Sequence, residues 1–355
     1  MIARYGPAAE VAEVAELPEP APPGPGQVLL DILASPINPS DFLAFQGRFG
    51  TKPPPLPAMA GGEALGRVAM LGAGVTHLKP GDRVLALYAG RGNWRQRVLA
   101  PAAAMRPLPV AADPLQLAML AVNPATAQQM LTRYVSLSRG DWVLQNAGNS
   151  AVGHCVIWLA RRLGLRTVSL VRKIEQVAPL RVAGGDVVLV DGPDLPAAVA
   201  AAVGGQPVRL GLDAVAGTAS GRLARCLAPG GTLVVYGLLS SSDCTVPAAE
   251  LVFRDIALRG YWFTPWFEHA APDERAALYA ELAQRVVEGV IRVPIEACYP
   301  LDRVRDALAH AARPGRTGKI LLLPNPQLLA PFEPATPPTR SPPSQPPSRS
   351  QYPSG

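Results

Sequence analysis

Between residues 142 and 236 the chain alternates short β-type runs with helical stretches, and few folds can accommodate such a repeat. Runs at 142–145, 167–171, 187–190, 209–214 and 232–236 are separated by helical segments beginning at Ala151, Glu175, Asp194 and Gly217. Parallel strands need a crossover of a dozen or more residues, and a helix supplies it. The repeat therefore predicts an α/β unit, a doubly wound parallel sheet with right-handed connections. Upstream the texture differs. Residues 27–34 and 64–87 hold short apolar runs broken by Gly72 to Gly74 and by Lys79-Pro80-Gly81-Asp82, which reads as a β-rich domain. A helical candidate at 273–288 precedes a last strand at 319–323, expected to return to the first domain and close its sheet. The expected division is a catalytic domain at 1–117 completed by 290–325, a nucleotide domain at 118–289, and a flexible Pro- and Ser-rich tail at 326–355.

The chain has 355 residues, 48% of them hydrophobic and 17% charged, enough for two cores. No apolar run approaches the roughly 20 residues that span a bilayer, so no membrane role is expected. The first seventeen residues carry Glu10, Glu13 and Glu16 and lack an apolar leader core or an acid-free, Arg-rich pattern, so the expected location is cytoplasmic. The formal charge of +6 is dispersed, with no basic run interleaved with aromatics. That argues against nucleic acid and for an anionic small molecule. Cys155, Cys226, Cys244 and Cys298 form no Cys-x-x-Cys pair, which argues against a zinc lobe and a disulfide framework. The four histidines, His77, His154, His269 and His310, lack ligand spacing and are expected at the surface.

The segment Gln145-Asn146-Ala147-Gly148-Asn149-Ser150-Ala151-Val152-Gly153 lies between the first strand of the repeat and its helix. Small residues there let backbone approach a pyrophosphate, which the amides at a helix N-terminus then bind. The string alone is equally compatible with a plain tight turn, because the usual three-glycine spacing is altered. Its context favours a nucleotide. The second strand ends at Val171-Arg172-Lys173, where an NAD site would carry an acid. A guanidinium pairs bidentately with a 2′-phosphate, so Arg172 and Lys173 favour NADPH over NADH. Tyr236 and Gly237 end the fifth strand at the same edge.

Several further motifs carry a resemblance: Ile37-Asn38-Pro39-Ser40-Asp41, Gln46-Gly47, Gly61-Gly62-Glu63, Val122-Asn123-Pro124-Ala125-Thr126-Ala127, Leu258-Arg259-Gly260-Tyr261-Trp262 and Gly318-Lys319-Ile320-Leu321. With these the chain resembles the zinc-independent branch of the medium-chain dehydrogenase/reductase superfamily. Within it, the chain is most similar to mitochondrial-type 2-enoyl thioester reductases and also to quinone oxidoreductases. The resemblance implies a GroES-like β-rich catalytic domain joined to a Rossmann domain, NADPH as cofactor, and a homodimer made through an edge strand at 256–263. It further implies Asn123 near the nicotinamide, Asn149, Ser150, Ala151 and Val152 at the pyrophosphate, and Arg172 at the 2′-phosphate. Tyr236, Gly237, Leu238, Leu239, Tyr261, Trp262, Phe263, Thr264 and Lys319 would complete the nucleotide cleft, with Trp266 left to the core. In zinc-bearing relatives a Cys and a Gly-His-Glu motif help hold the metal; here Asn38 and Gly62-Glu63 stand in those places. Asp41 is read either as a cap of its turn or as a group that orders the cleft, and Glu63 as a holder of a neighbouring backbone amide.

One departure bears on the chemistry. Enoyl reductases of this type carry a catalytic tyrosine two residues after the Gln-Gly, where this chain has Phe49. A phenyl ring neither donates a proton nor hydrogen-bonds a thioester oxygen. Three readings follow: an enoyl thioester reductase in which Tyr88 supplies the hydroxyl, a quinone or enone reductase that draws its proton from solvent, or an NADPH-binding protein without turnover.

Overall fold

Alternating burial and turn chemistry build the first sheet around one long strand. A computed structural model gives the fold of residues 1–53, 55–86 and 92–329, so Tyr88 and residues 330–355 lie outside the described residues. Strand β1 (Gln27–Pro36) is buried along almost its whole length, because it has sheet neighbours on both edges and cores on both faces. It pairs antiparallel with β2 (Leu65–Leu71) and β4 (Arg97–Pro101), while β3 (Arg83–Leu85) extends the sheet beyond β2. The apolar stretch at 64–87 therefore divides into two strands, interrupted where Gly72, Gly74 and Gly81 turn the chain. Short helices α1 (Ala8–Val11), α2 (Pro39–Phe45) and α3 (Pro114–Ala118) border this sheet. Asn38 and Asp41 cap α2 reciprocally, the Asn38 amide donating to Asp41 Oδ2 at 2.8 Å, so Asp41 serves its own turn.

Helix α4 (Asn123–Arg133) starts with Pro124 in its first turn, a position that lacks an intrahelical partner for its nitrogen in any case. It leads into the parallel sheet of β5 (Trp142–Gln145), β6 (Arg166–Val171), β7 (Val187–Val190), β8 (Val208–Asp213), β9 (Thr232–Val235) and β10 (Ala257–Gly260). Their order, β10-β9-β8-β5-β6-β7, is parallel throughout and reverses direction between β5 and β8. Such a sheet opens a crevice outside the carboxyl ends of β5 and β8. The connecting helices are α5 (Ala151–Arg162), α6 (Val177–Val182), α7 (Leu195–Ala202), α8 (Thr218–Cys226) and α9 (Ala248–Arg254). The helix expected from Glu175 is mostly shorter: a 3₁₀ turn, Ile174–Gln176, precedes α6, whose Pro179 is tolerated only near a helix start.

After β10 come α10 (Phe263–His269) and α11 (Pro272–Val287), and then the chain returns to the first sheet. There β11 (Ile295–Pro300) runs parallel to β12 (Lys319–Leu323), and β12 pairs antiparallel with Ser35 and Pro36 of β1, with α12 (Val304–Ala312) between them in sequence. A short 3₁₀ turn, Pro326–Leu328, follows, so residues 326–328 at the start of the expected tail are folded. One apolar core runs without a break from Leu33 and Leu65 of the first sheet, through Ala125 and Met130 of α4, to Val143 and Val234 of the parallel sheet. The two sheets are thus fixed to one another along the crevice.

Candidate functional site

The nucleotide edge is built by close packing at the β5–α5 turn. Ser150 caps α5 by accepting the Gly153 amide at 3.1 Å, while Asn149, Ala151 and Val152 stay half-buried at the crevice. A Cβ on Gly153 would fall 2.4 Å from the Gly148 carbonyl oxygen, and one on Gly148 would fall 2.8 Å from Ser169 Cβ. Only glycine allows this turn to lie so close to β6. Arg172 and Lys173 follow β6 directly, both exposed and, among the described residues, without an ion-pair partner. Across the switch point, the buried Asn146 donates to Asp213 Oδ1 at 2.6 Å and accepts the Ala214 amide at 2.7 Å. Asp213 also receives the Val215 and Ala216 amides and the Ser220 hydroxyl, at 2.8, 2.9 and 2.5 Å. These bonds hold Ala216 and Gly217 at φ 61° and 63°, an unusual backbone for alanine, and shape the far wall of the crevice. A Cβ on Gly237 would strike the Ala214 carbonyl at 2.5 Å, so the β8 and β9 ends nearly touch. Leu238 and Leu239 just beyond are exposed, and the buried Tyr236 hydroxyl has no hydrogen-bond partner of ordinary geometry, with Ser150 beside it.

A second polar cluster lies where the two sheets meet. The Glu63 carboxylate is fully buried; it accepts Asn38 Nδ2 at 2.6 Å through Oε1 and the Val122 amide at 2.8 Å through Oε2. Asn123 Nδ2 lies 3.4 Å from Glu63 Oε1 and 3.5 Å from Asn38 Oδ1. Lys319 donates to the Ile37 carbonyl at 3.0 Å and to Asn38 Oδ1. Burial pushes the Glu63 carboxyl up and the Lys319 ammonium down, while attraction between the two opposes both shifts. Lys319 is therefore a buried strut, its ammonium already committed to the Asn38 turn, rather than a cation open to the crevice.

The third component is aromatic. Phe49 and Trp262 meet edge to face with centroids 5.9 Å apart, and Trp262 is 43% exposed. Beside them Trp262, Tyr261, Trp266, Pro265, Tyr134 and Arg133 line a cavity of about 580 Å³ at the carboxyl ends of β9 and β10. The Tyr261 hydroxyl is buried next to Thr126 without a hydrogen bond of ordinary geometry. Phe263 turns away, packing on Trp266 and Phe267 at 5.8 and 5.6 Å, and Thr264 follows it in α10; Trp266 is buried, as expected.

The structure thus brings Asn149 to Val152, Tyr236 and Gly237 together at one edge, and Phe49 together with Trp262 at another. It sets Phe263 into the packing of α10 and Lys319 into a buried strut. Two buried carboxylates, Glu63 and Asp213, organise these regions. For Asp213 the only sequence signal is its place at a strand end. His154 corrects an expectation: it is 7% exposed rather than at the surface, its ring tilted against Trp158 with centroids 5.3 Å apart, because α5 is covered by α4 as well as by the sheet. Among the described residues no three His, Cys, Asp or Glu side chains converge as a metal site would need.

Residues 24–110 match the alcohol dehydrogenase GroES-like domain family and residues 151–280 the zinc-binding dehydrogenase family. The mitochondrial enoyl-[acyl-carrier-protein] reductase of Rattus norvegicus is 36% identical over 302 residues, covering 81% of this chain and 78% of the relative. That of Caenorhabditis elegans is 37% identical over 275 residues, covering 76% and 78%. Among solved structures, Escherichia coli quinone oxidoreductase complexed with NADPH superposes with a TM-score of 0.82 at 25% identity, covering 91% of this chain and 98% of that one. The Etr1p complex with NADP and crotonyl-CoA gives 0.75 at 26% identity, covering 85% and 92%. The enoyl reductases so matched are named as mitochondrial, which overturns the cytoplasmic location expected from the first seventeen residues. An acidic opening segment says nothing of where such an enzyme works. The chain belongs to the medium-chain dehydrogenase/reductase superfamily, in the family of the mitochondrial enoyl-[acyl-carrier-protein] reductases.

Proposed function

We propose that this chain is a zinc-independent, NADPH-dependent reductase that transfers a hydride to the activated double bond of a 2-enoyl thioester. The observation that carries the reading is the crevice itself: a glycine-packed turn at the switch point, and two exposed cations after β6 without an ion-pair partner among the described residues. The residues fit the dinucleotide. Ser150, Ala151 and Val152 would present backbone at the pyrophosphate, Arg172 and Lys173 would pair with a 2′-phosphate, and Tyr236 has a buried hydroxyl in want of a partner. Gly237, Leu238 and Leu239 would cover the ring end, with Asn123 at its amide. When bound, NADPH supplies the hydride; the chain's part is to bind, orient and exclude water.

Zinc does not fit. The places that hold metal ligands in zinc-bearing relatives carry an amide and a carboxylate whose oxygens already accept protein donors, with the Lys319 ammonium bonded to the same amide. A divalent cation would meet a positive charge and no thiolate or imidazole.

Substrate would lie between Phe49, Trp262 and the crevice, with its acyl chain against the aromatic cavity. Phe49 lacks the hydroxyl that would hold a thioester oxygen or deliver a proton, and this favours a second reading, reduction of a quinone or enone with the proton drawn from solvent. A homodimer through β10 fits either: that strand ends the parallel sheet, Leu258 on it is exposed, and Val252 and Phe253 of α9 stand 70% and 84% exposed nearby in sequence.

The test follows NADPH oxidation optically with 2-enoyl thioesters and with quinones, for the wild type and Phe49→Tyr. We expect thioester reduction by the wild type and a rise on the order of 100-fold in Phe49→Tyr, with quinone rates unmoved. Turnover of quinones alone, or equal affinity for NADH and NADPH, would sink the enoyl reductase reading.

A further inference from the structure

Glu63, fully buried, joins three separate pieces of chain. Its two oxygens take different donors: Oε1 accepts from the Asn38 side chain beside the first sheet, and Oε2 accepts the Val122 amide at the entry to α4. Its own carbonyl accepts the Ser35 hydroxyl at 2.5 Å, which ties the carboxylate's backbone to β1. Asn123, next along from Val122, is 4% exposed and reaches Glu63 and Asn38 only at 3.4 and 3.5 Å; its amide oxygen has no hydrogen bond among the described residues. Asn38 Oδ1 in turn receives Lys319, whose strand pairs with β1. The start of α4 is thereby referenced to the first sheet through a single acceptor-only group.

We propose that Glu63 is a positioning residue for the hydride transfer, fixing the Asn123 amide, through Asn38 and the Val122 turn, against the nicotinamide end of the crevice. The inference rests on the reductase reading above. Its physical basis is that both sides of the carboxylate are donors. A glutamine of the same shape has one accepting atom, so its NH₂ must oppose either the Val122 N–H or the Asn38 amide, and the α4 entry shifts. The phosphate end of the nucleotide is held at the β5–α5 turn and after β6, so its affinity does not depend on this contact.

The experiment compares wild type, Glu63→Gln, Asn123→Ala and the double variant, each as the full chain. NADPH affinity is read by fluorescence, the folded fraction by thermal melting, and kcat per folded molecule with a 2-enoyl thioester. A misplacement of about 1 Å costs on the order of 100-fold, so Glu63→Gln should lose 10- to 100-fold in kcat, with NADPH affinity within about threefold of wild type. Because both residues act through the same amide, the double variant should be no worse than Asn123→Ala by more than about threefold. A kcat unchanged within about twofold in folded Glu63→Gln, or losses that multiply in the double variant, overturns the proposal. Where Glu63→Gln does not fold, Asn123→Ala decides alone: a kcat within about twofold of wild type overturns it, and a loss above about tenfold at unchanged NADPH affinity supports it. A wild type that binds NADPH but reduces no acceptor refutes the reductase reading instead, before any variant is made.

Discussion

Asp213 and Glu63 are both buried carboxylates at the rim of the same crevice, yet they are compensated in different ways. Asp213 takes four neutral donors, Asn146, Val215, Ala216 and Ser220, all from the parallel-sheet domain and two of them from the loop it anchors. Glu63 takes its donors from two distant segments, Asn38 beside the first sheet and Val122 at the entry to α4, and the charge balancing it, Lys319, acts through the intervening amide of Asn38. A buried charge needs hydrogen bonds or a partner of opposite sign; Asp213 relies on the first alone and Glu63 on both. The first makes a rigid local loop. The second makes a joint between the first sheet and the start of α4, whose energy depends on the protonation of two groups that burial pushes toward neutrality.

Removing the local anchor should have the larger effect. Asp213→Ala leaves four donors unmet, each worth about 1–3 kcal/mol when buried and unsatisfied, less whatever entering water recovers. We expect about 4 kcal/mol or more of lost stability by urea unfolding, with NADPH affinity lost in the variant that still folds, since Ala216 and Gly217 relax from their positive φ. A loss below about 1 kcal/mol would show that water substitutes freely for the carboxylate, and the comparison would fail.

Lys319→Met tests the joint. Removing one of two buried charges that balance each other costs up to about 3–5 kcal/mol, and because Lys319 reaches Glu63 only through Asn38 and the desolvated ammonium is relieved, about 3 kcal/mol is expected at pH 7.5, where both groups carry charge. The sign with pH follows from Glu63. Its folded pKa is raised, and loss of the ammonium raises it further. A carboxyl of that kind contributes stability while protonated and loses it as pH rises through the folded value. The penalty of Lys319→Met should therefore shrink at pH 6, where Glu63 takes up a proton. Denaturant unfolding at the two pH values checks this; an equal penalty at both would mean that Lys319 acts by packing alone.

These two sites also differ in how far the sequence exposed them. The parallel strands are plain in it: 187–190 coincides with β7, and 167–171 and 232–236 fall within one residue of β6 and β9. Strands buried on both faces read as continuous Val and Leu runs, and the alternation with helices leaves one topology. The β5–α5 turn and the cations after β6 are equally legible, because their chemistry is local. Of the Glu63 joint only the carboxylate's hold on a backbone amide is legible, and Val122 supplies that amide. Lys319 and Asn38 are 281 residues apart, and their meeting depends on β12 returning to β1, so only a resemblance to known relatives placed them in one cleft. Phe263 and Lys319 show the limit of carrying site residues over by motif: both stand in matching segments, yet packing directs one to α10 and the other to a buried strut. His154 departs from expectation for a related reason, since a polar residue on a helix reads as solvent-facing unless the second layer is known.

His154 supplies a third way of burying an ionisable group, by giving up the charge, and its effect should be the smallest of the three. Its Nδ1 has no partner and burial alone pushes its pKa down to about 4. Above about pH 6.5 the ring is neutral in both folded and unfolded chains; below that only the unfolded chain takes the proton, so stability falls as pH drops toward 4. Between pH 7 and pH 5 this one residue should remove about 2 kcal/mol. Glu63 works in the opposite direction over the same range, since its raised pKa favours the folded state as pH falls, and the total curve of the wild type mixes the two. His154→Phe separates them, because a phenyl ring can keep the contact with Trp158 while carrying no proton. The difference in stability between pH 7 and pH 5 should be about 2 kcal/mol less unfavourable to acid in His154→Phe than in wild type, as read from urea unfolding at each pH. Parallel curves for the two proteins would mean that the imidazole reaches water or a hidden acceptor, and that charge loss is not how this part of α5 is kept dry.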